Sequence, residues 1–133
     1  MAKYVYPAIF TPEQEGGFSI SFPDLKNCFT DANDLAEAMQ MANDVLCLTL
    51  YHMEQAEEEI PQPSSVEDAQ RKTAQGEFVT LIACDTIEYR KFYDNKAVKK
   101  TLSIPSWLNE MAERADINFS GTLQDALKKQ LGI

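Results

Sequence analysis

The residues able to do covalent or metal chemistry are few and poorly placed for it. His52 is the sole histidine. Cys47 precedes it by five residues, which on a helix leaves the two roughly a third of a turn apart in azimuth. No serine or cysteine nucleophile lies in helical register with the imidazole. Two-metal hydrolysis needs several carboxylates converging on one point, yet the β-prone runs at residues 4–10 and 18–22 contain none. Asp24 and Asp85 fall at strand ends, where aspartate serves turns. Cys28, Cys47 and Cys84 are odd in number and widely spaced, with no C-x-x-C pair. Neither a disulfide framework nor a zinc site is expected, and the three read as small buried hydrophobes. A glycine-rich phosphate loop is also missing from the sequence. These residues argue against an enzyme, and no cofactor or metal is expected.

A different chemistry, recognition, is written in "VKKTLSIPSW", residues 98–107. As a strand, this stretch sends Val98, Leu102 and Ile104 to one face and Lys99, Thr101 and Ser103 to the other. Lys100 interrupts the apolar side, and Pro105 closes the strand and suits a helix start. Two helices are expected after it. The first runs from about 106 to 115 with Leu108, Met111, Ala112 and Ala115 on one face. The second is capped by Asn118 or Ser120 and carries Leu123, Ala126, Leu127 and Leu131. A unit of residues 97–133 is below the size that folds without help from disulfides, metal or oligomerisation, and its strand has no neighbour of its own. Both deficits vanish if two chains pair their strands antiparallel. The outward face of that two-stranded ribbon then shows Lys99, Thr101 and Ser103 twice. Such a ribbon fits the major groove of DNA, and amides at the start of the last helix suit a backbone phosphate.

Charge divides along the chain in the same way. The net charge is -9; residues 1–95 hold six Lys/Arg against 17 Asp/Glu, whereas residues 96–133 hold six against four. Such asymmetry suggests two surfaces with two tasks. No apolar run approaches the roughly 18–20 residues of a membrane helix, and no signal peptide is recognised, so no membrane partner and a cytoplasmic location are expected.

The elements that position these groups start with "KYVYPAIFTP", a strand in which Pro7 implies an edge or a bulge. "EQEGG" makes a hairpin turn with Gly16 and Gly17 at positive φ. "FSISF" alternates as a second strand and "NCFTD" supplies a short third. Asp34 caps a helix, with Glu37 completing a capping box. One stripe on it is Leu35, Ala38, Met39, Ala42, Leu46, Leu50 and Met53. A second, Met41, Val45, Leu48 and His52, is free to meet a partner or to be buried. Residues 57–76 form an acidic loop, with room for a helical turn, before the strand "EFVTLIACD". Residues 87–96 connect to the C-terminal unit through Ile87, Tyr89, Phe92 and Tyr93, which are expected to pack. The class is α+β, built as β-β-β-α-β through residue 86.

Two resemblances follow from these residues. Residues 97–133 resemble the ribbon-helix-helix repressors in strand polarity, Pro105, the two helix lengths and "NFSGTLQDAL". That likeness implies base contacts by Lys99, Thr101 and Ser103, phosphate contacts by Asn118, Phe119 and Ser120, and a homodimer able to assemble further. Lys100 departs from the pattern, in a slot that is ordinarily apolar, and a phosphate contact is assigned to it. Residues 3–85 resemble the first domain of HicB antitoxins in "YPAIF", the Gly-Gly turn, "SFPDL", and "CFT" before the capped "LAEAM" helix. Asn27 and Ala32 depart from it, at places where glycine is common. The likeness implies a partial ribonuclease-H-like fold and a type II toxin–antitoxin role. The partner it implies is a small, basic HicA-type toxin that cleaves mRNA, and Glu57, Glu58 and Glu59 are the candidate contacts. The alternative is a stand-alone repressor whose first domain senses a ligand or another protein.

Overall fold

The computed structural model describes residues 3–133, and the chain divides between residues 96 and 97 into two units. In the first unit, strands β1 (Lys3–Pro12), β2 (Phe18–Ser21), β3 (Phe29–Ala32) and β4 (Phe78–Asp85) form one antiparallel sheet in the order β3-β2-β1-β4. Helix α1 (Leu35–Gln55) and the short α2 (Val66–Arg71) lie between β3 and β4 in sequence, and α3 (Thr86–Tyr93) follows β4.

The sheet follows from alternation. Tyr6, Ala8 and Phe10 of β1, Ile20 of β2, and Ile82 and Cys84 of β4 share a core with Ala38, Ala42, Leu46, Cys47 and Leu50 of α1. Pro7 and Ile9, of opposite parity, are also buried, and α2 packs on β1 and β4 with Ala69 fully covered. β1 is an interior strand over part of its length, yet at Pro7 it has the edge position expected there. The ladder with β4 runs unbroken from Lys3↔Asp85 to Phe10↔Phe78, but the ladder with β2 begins at Ile9↔Ser21. At Pro7, therefore, β1 has a neighbour on one side only, and a residue without an amide donor is tolerated there.

The turns carry the left-handed backbone expected of them. Gly16 and Gly17 have φ of 93° and 86°. A Cβ on Gly17 would stand 2.5 Å from the Ala32 carbonyl oxygen, so only glycine lets β3 approach this turn. Asn27 has φ 55°, a left-handed conformation that asparagine tolerates better than most residues. At the start of α1, Asp34 accepts from the Glu37 amide at 2.8 Å; the Glu37 carboxylate meets Asn33 Nδ2 at 3.5 Å rather than closing a reciprocal box.

Two stretches are more regular than the sequence alone specified. Within the acidic loop, Ser65 caps α2 by accepting from the Asp68 amide, and Asp24 accepts from both the amide and the hydroxyl of Ser64. Most of the connector is helical: Asp85 accepts from the amides of Ile87 and Glu88 and starts α3, which packs on α1. Tyr89 reaches the core as expected, whereas Phe92 and Tyr93 remain 76% and 62% exposed.

The second unit, residues 97–133, contains α4 (Ser106–Arg114) and α5 (Phe119–Leu131). Residues 94–105 carry neither helix nor strand. The strand expected at 98–104 is therefore not formed by the chain alone: a strand needs a ladder partner, and this unit holds no other β segment. Pro105 stands just outside α4 as its N-cap, with φ -56°. Asn118 caps α5 by accepting from the Gly121 amide at 3.0 Å, and Gly132, at φ 73°, ends it. Among the described residues, no helix is long and apolar enough to cross a membrane.

Candidate functional site

The alternating segment is open along its whole length. Lys99, Lys100, Thr101 and Ser103 are exposed, and so are the apolar residues between them, with Val98 at 84%. No residue of the second unit is buried, although Trp107, Leu108, Met111, Phe119, Leu127 and Leu131 are all large and apolar. At the head of α5, Asn118 uses its side chain on Gly121. The amides of Phe119 and Ser120 donate to no acceptor among the described residues, as is usual at a helix N-terminus. Asn118 is thus positioned as a cap.

In the first unit, Glu57, Glu58 and Glu59 are exposed. Glu57 takes φ 54° just after the Ala56 cap, and the Glu58 amide returns to the Met53 carbonyl at 2.9 Å, so the acidic run begins in the capping turn that closes α1. Glu58 and Glu59 line a cleft of about 720 Å³ with Asp24, Leu48, His52 and Met53; Glu57 does not. The second apolar stripe of α1 is half open: Met41 and Val45 are partly covered, Leu48 is 43% exposed and His52 is exposed. It meets further clefts on its other side, at Asp44, Tyr89 and Tyr93.

The nucleophilic candidates are used structurally. All three cysteines are free and buried. The Cys84 thiol is pushed well up, first by its hydrogen bond with Cys47 and then by burial. Asp24 and Asp85 are occupied with Ser64 and with the α3 cap. No group of three or more His, Cys, Asp or Glu among the described residues is arranged to hold a metal ion.

A sequence profile describing the HicB-like antitoxin of bacterial toxin–antitoxin systems matches residues 6–126, which takes in most of both units. The chain belongs to the HicB-like antitoxin family. Antitoxin HicB 1 of Photorhabdus laumondii is 36% identical over 61 residues, or 46% of this chain and 39% of that protein. Antitoxin HicB of Escherichia coli is 39% identical over 59 residues, or 44% of this chain and 43% of that protein. The match thus spans about two fifths of each relative's length. Among solved structures, a chain of a toxin–antitoxin complex from Streptococcus pneumoniae superposes with a TM-score of 0.60 at 26% identity, covering 96% of this chain and 99% of that one.

Sequence reasoning missed one hub of the first unit. Glu54, in the last turn of α1, accepts from Tyr4, Thr86 and Arg90. A charged residue inside an otherwise acidic helix end gives no periodic signal of that role.

Proposed function

We propose that the chain is an antitoxin that binds and occludes a small HicA-type mRNA-cleaving toxin, and that it represses its own operon by binding operator DNA. The observation that carries this reading is the family match from residue 6 to residue 126, which includes parts of both units. In this reading the first unit is a partial ribonuclease-H-like domain. Its strongly acidic character speeds encounter with a basic partner and disfavours wrong ones. The cleft at Glu58 and Glu59, the half-open α1 stripe and the acidic turn from Glu57 are the surfaces offered to the toxin. No chemistry by this chain is required, because covering the toxin's active site excludes RNA.

The second unit is read as half of a ribbon-helix-helix dimer. Its large apolar residues are exposed in the lone chain, and antiparallel pairing of residues 98–104 with a second copy supplies both the missing ladder and the missing core. Lys99, Thr101 and Ser103 then face the major groove. The amides of Phe119 and Ser120, beside the Asn118 cap, face a phosphate, and Lys100 reaches a neighbouring one. Two dimers joining into a tetramer is compatible with this arrangement.

Co-expression tests the antitoxin half. The chain should relieve the growth arrest caused by the small basic protein encoded beside it, and should co-purify with that protein. Persistent arrest at matched expression would remove the toxin from the account. A chain that still bound operator DNA would then be a stand-alone repressor.

A further inference from the structure

We propose that the groove between α1 and α3, walled by Tyr89 and Tyr93 and closed by Asp44, is a receptor for one arginine side chain of the partner protein. This deepens the toxin-binding reading and rests on it for the partner's identity. Two adjoining cavities of about 300 and 280 Å³ share Asp44, Tyr89 and Tyr93, space enough to admit one long side chain.

The chemistry of the walls selects the occupant. The rings of Tyr89 and Tyr93 lie 4.6 Å apart between centroids, and Tyr51 lies 5.4 Å from Tyr89 on the other side. This row of rings already stacks one guanidinium, since Arg90 sits 5.1 Å from the centre of Tyr51. Tyr93, which meets the edge-on Phe92 ring at 4.8 Å, is exposed, with no cation over it among the described residues. Planar guanidinium suits a ring face better than the compact, strongly hydrated ammonium of lysine.

Three carboxylates border the groove, and two are engaged. Asp85 caps α3, and Glu88 pairs with Lys91 at 2.9 Å. Asp44 makes no hydrogen bond or ion pair among the described residues, so it is left to take the fork of an incoming arginine. Burial, and after it the neighbouring Tyr93, Cys47 and Asp44, raise the Tyr89 hydroxyl above its ordinary range. The first unit's net acidity makes a cationic occupant the complementary one. Leu48 lines both this groove and the cleft at Glu58 and Glu59, so one partner surface can engage both.

The full-length Asp44→Asn/Tyr93→Ala variant tests the site. Both residues are exposed, so the fold should survive, and operator binding should be unchanged. Binding to the toxin should weaken by at least about tenfold, the loss typical of a buried arginine anchor. Toxin binding within about twofold of wild type would overturn the groove while leaving the antitoxin reading intact. A second arm separates the two ideas. The wild-type chain, labelled for amide NMR, is titrated with a short alternating Arg-Gly peptide and with its Lys-Gly counterpart. Shifts centred on Asp44, Tyr89 and Tyr93, stronger for arginine, support the groove even where no toxin binds. Shifts spread evenly over the acidic surface, Glu57 to Glu59 included, or equal for both peptides, would overturn it.

Discussion

The hydroxyl of Tyr4 donates to Oε2 of Glu54 across 2.8 Å, joining the first strand to the last turn of α1. The same carboxylate accepts from Thr86 Oγ1 at 3.0 Å and pairs with Arg90 Nη2 at 3.0 Å. Three segments far apart in sequence are tied at one side chain, and α3 is thereby held to the first unit. Replacing Glu54 by alanine removes three acceptor contacts and leaves a half-buried guanidinium unpaired. The expected cost is about 2–3 kcal/mol, read as a lowered urea midpoint with little change in slope. Glu59→Ala, on an exposed turn, should stay within about 0.5 kcal/mol.

Alkaline pH probes the same contact. Burial first, and then the hydrogen bond to Glu54, hold the Tyr4 hydroxyl above its ordinary range. The folded state therefore favours the neutral phenol. In the unfolded chain the phenol ionises near pH 10. The contribution is complete below about pH 10 and is lost as pH rises past it. Thermal midpoints measured from pH 8 to 11 should fall above pH 10, and Tyr4→Phe should make that fall shallower. An unchanged slope would mean that Tyr4 is not the responsible group. Tyr6 and Tyr89, also raised chiefly by burial, leave a residual slope in the variant.

The two tight turns predict graded costs for similar substitutions. Gly17→Ala places a methyl 2.5 Å from the Ala32 oxygen at φ +86° and should cost at least about 2 kcal/mol. Gly16→Ala meets open space and carries the backbone strain alone, about 1–2 kcal/mol. Asn27→Gly should be neutral within a few tenths, whereas Asn27→Ala should cost about 1 kcal/mol. Denaturant unfolding of the four variants checks the order.

Exposed apolar residues in the second unit predict an obligate association. Leu102→Asp, on the strand face assigned to pairing, should shift the chain from dimer to monomer in sedimentation equilibrium and abolish operator binding. A variant that stayed dimeric would place the interface elsewhere.

The four strands and α1 were legible because each is long enough, or alternates cleanly enough, to show its period. Ile20 and Phe22 face inward while Ser19 and Ser21 do not, and Ala38, Ala42, Leu46 and Leu50 mark the buried side of α1. α4 and α5 were legible from Pro105 and Asn118, residues whose local chemistry starts a helix. α2 was legible only as room for a helical turn without a position, because six residues are under two turns and show no period. α3 was read as connector because its start depends on Asp85, which also ends a strand, and its packing depends on Tyr51 and Glu54, some 36–38 residues away. The Glu54 hub and the Asp44 groove join residues 32 to 50 positions apart in sequence, a relation that periodicity cannot carry. The missing ladder of residues 98–104 has a further cause: its partner strand belongs to a second molecule in the proposed dimer.

The central claim is that the two units divide two tasks, and one competition measurement tests it most directly. Wild type and the Lys99→Ala/Thr101→Ala/Ser103→Ala variant are each mixed with labelled toxin and with a labelled duplex from upstream of the operon, over a range of salt. The account predicts that wild type carries both labels and that its duplex binding falls with salt. The triple variant should carry the toxin and release the duplex. A variant that held the duplex as wild type does, or that lost both partners together, would contradict the division.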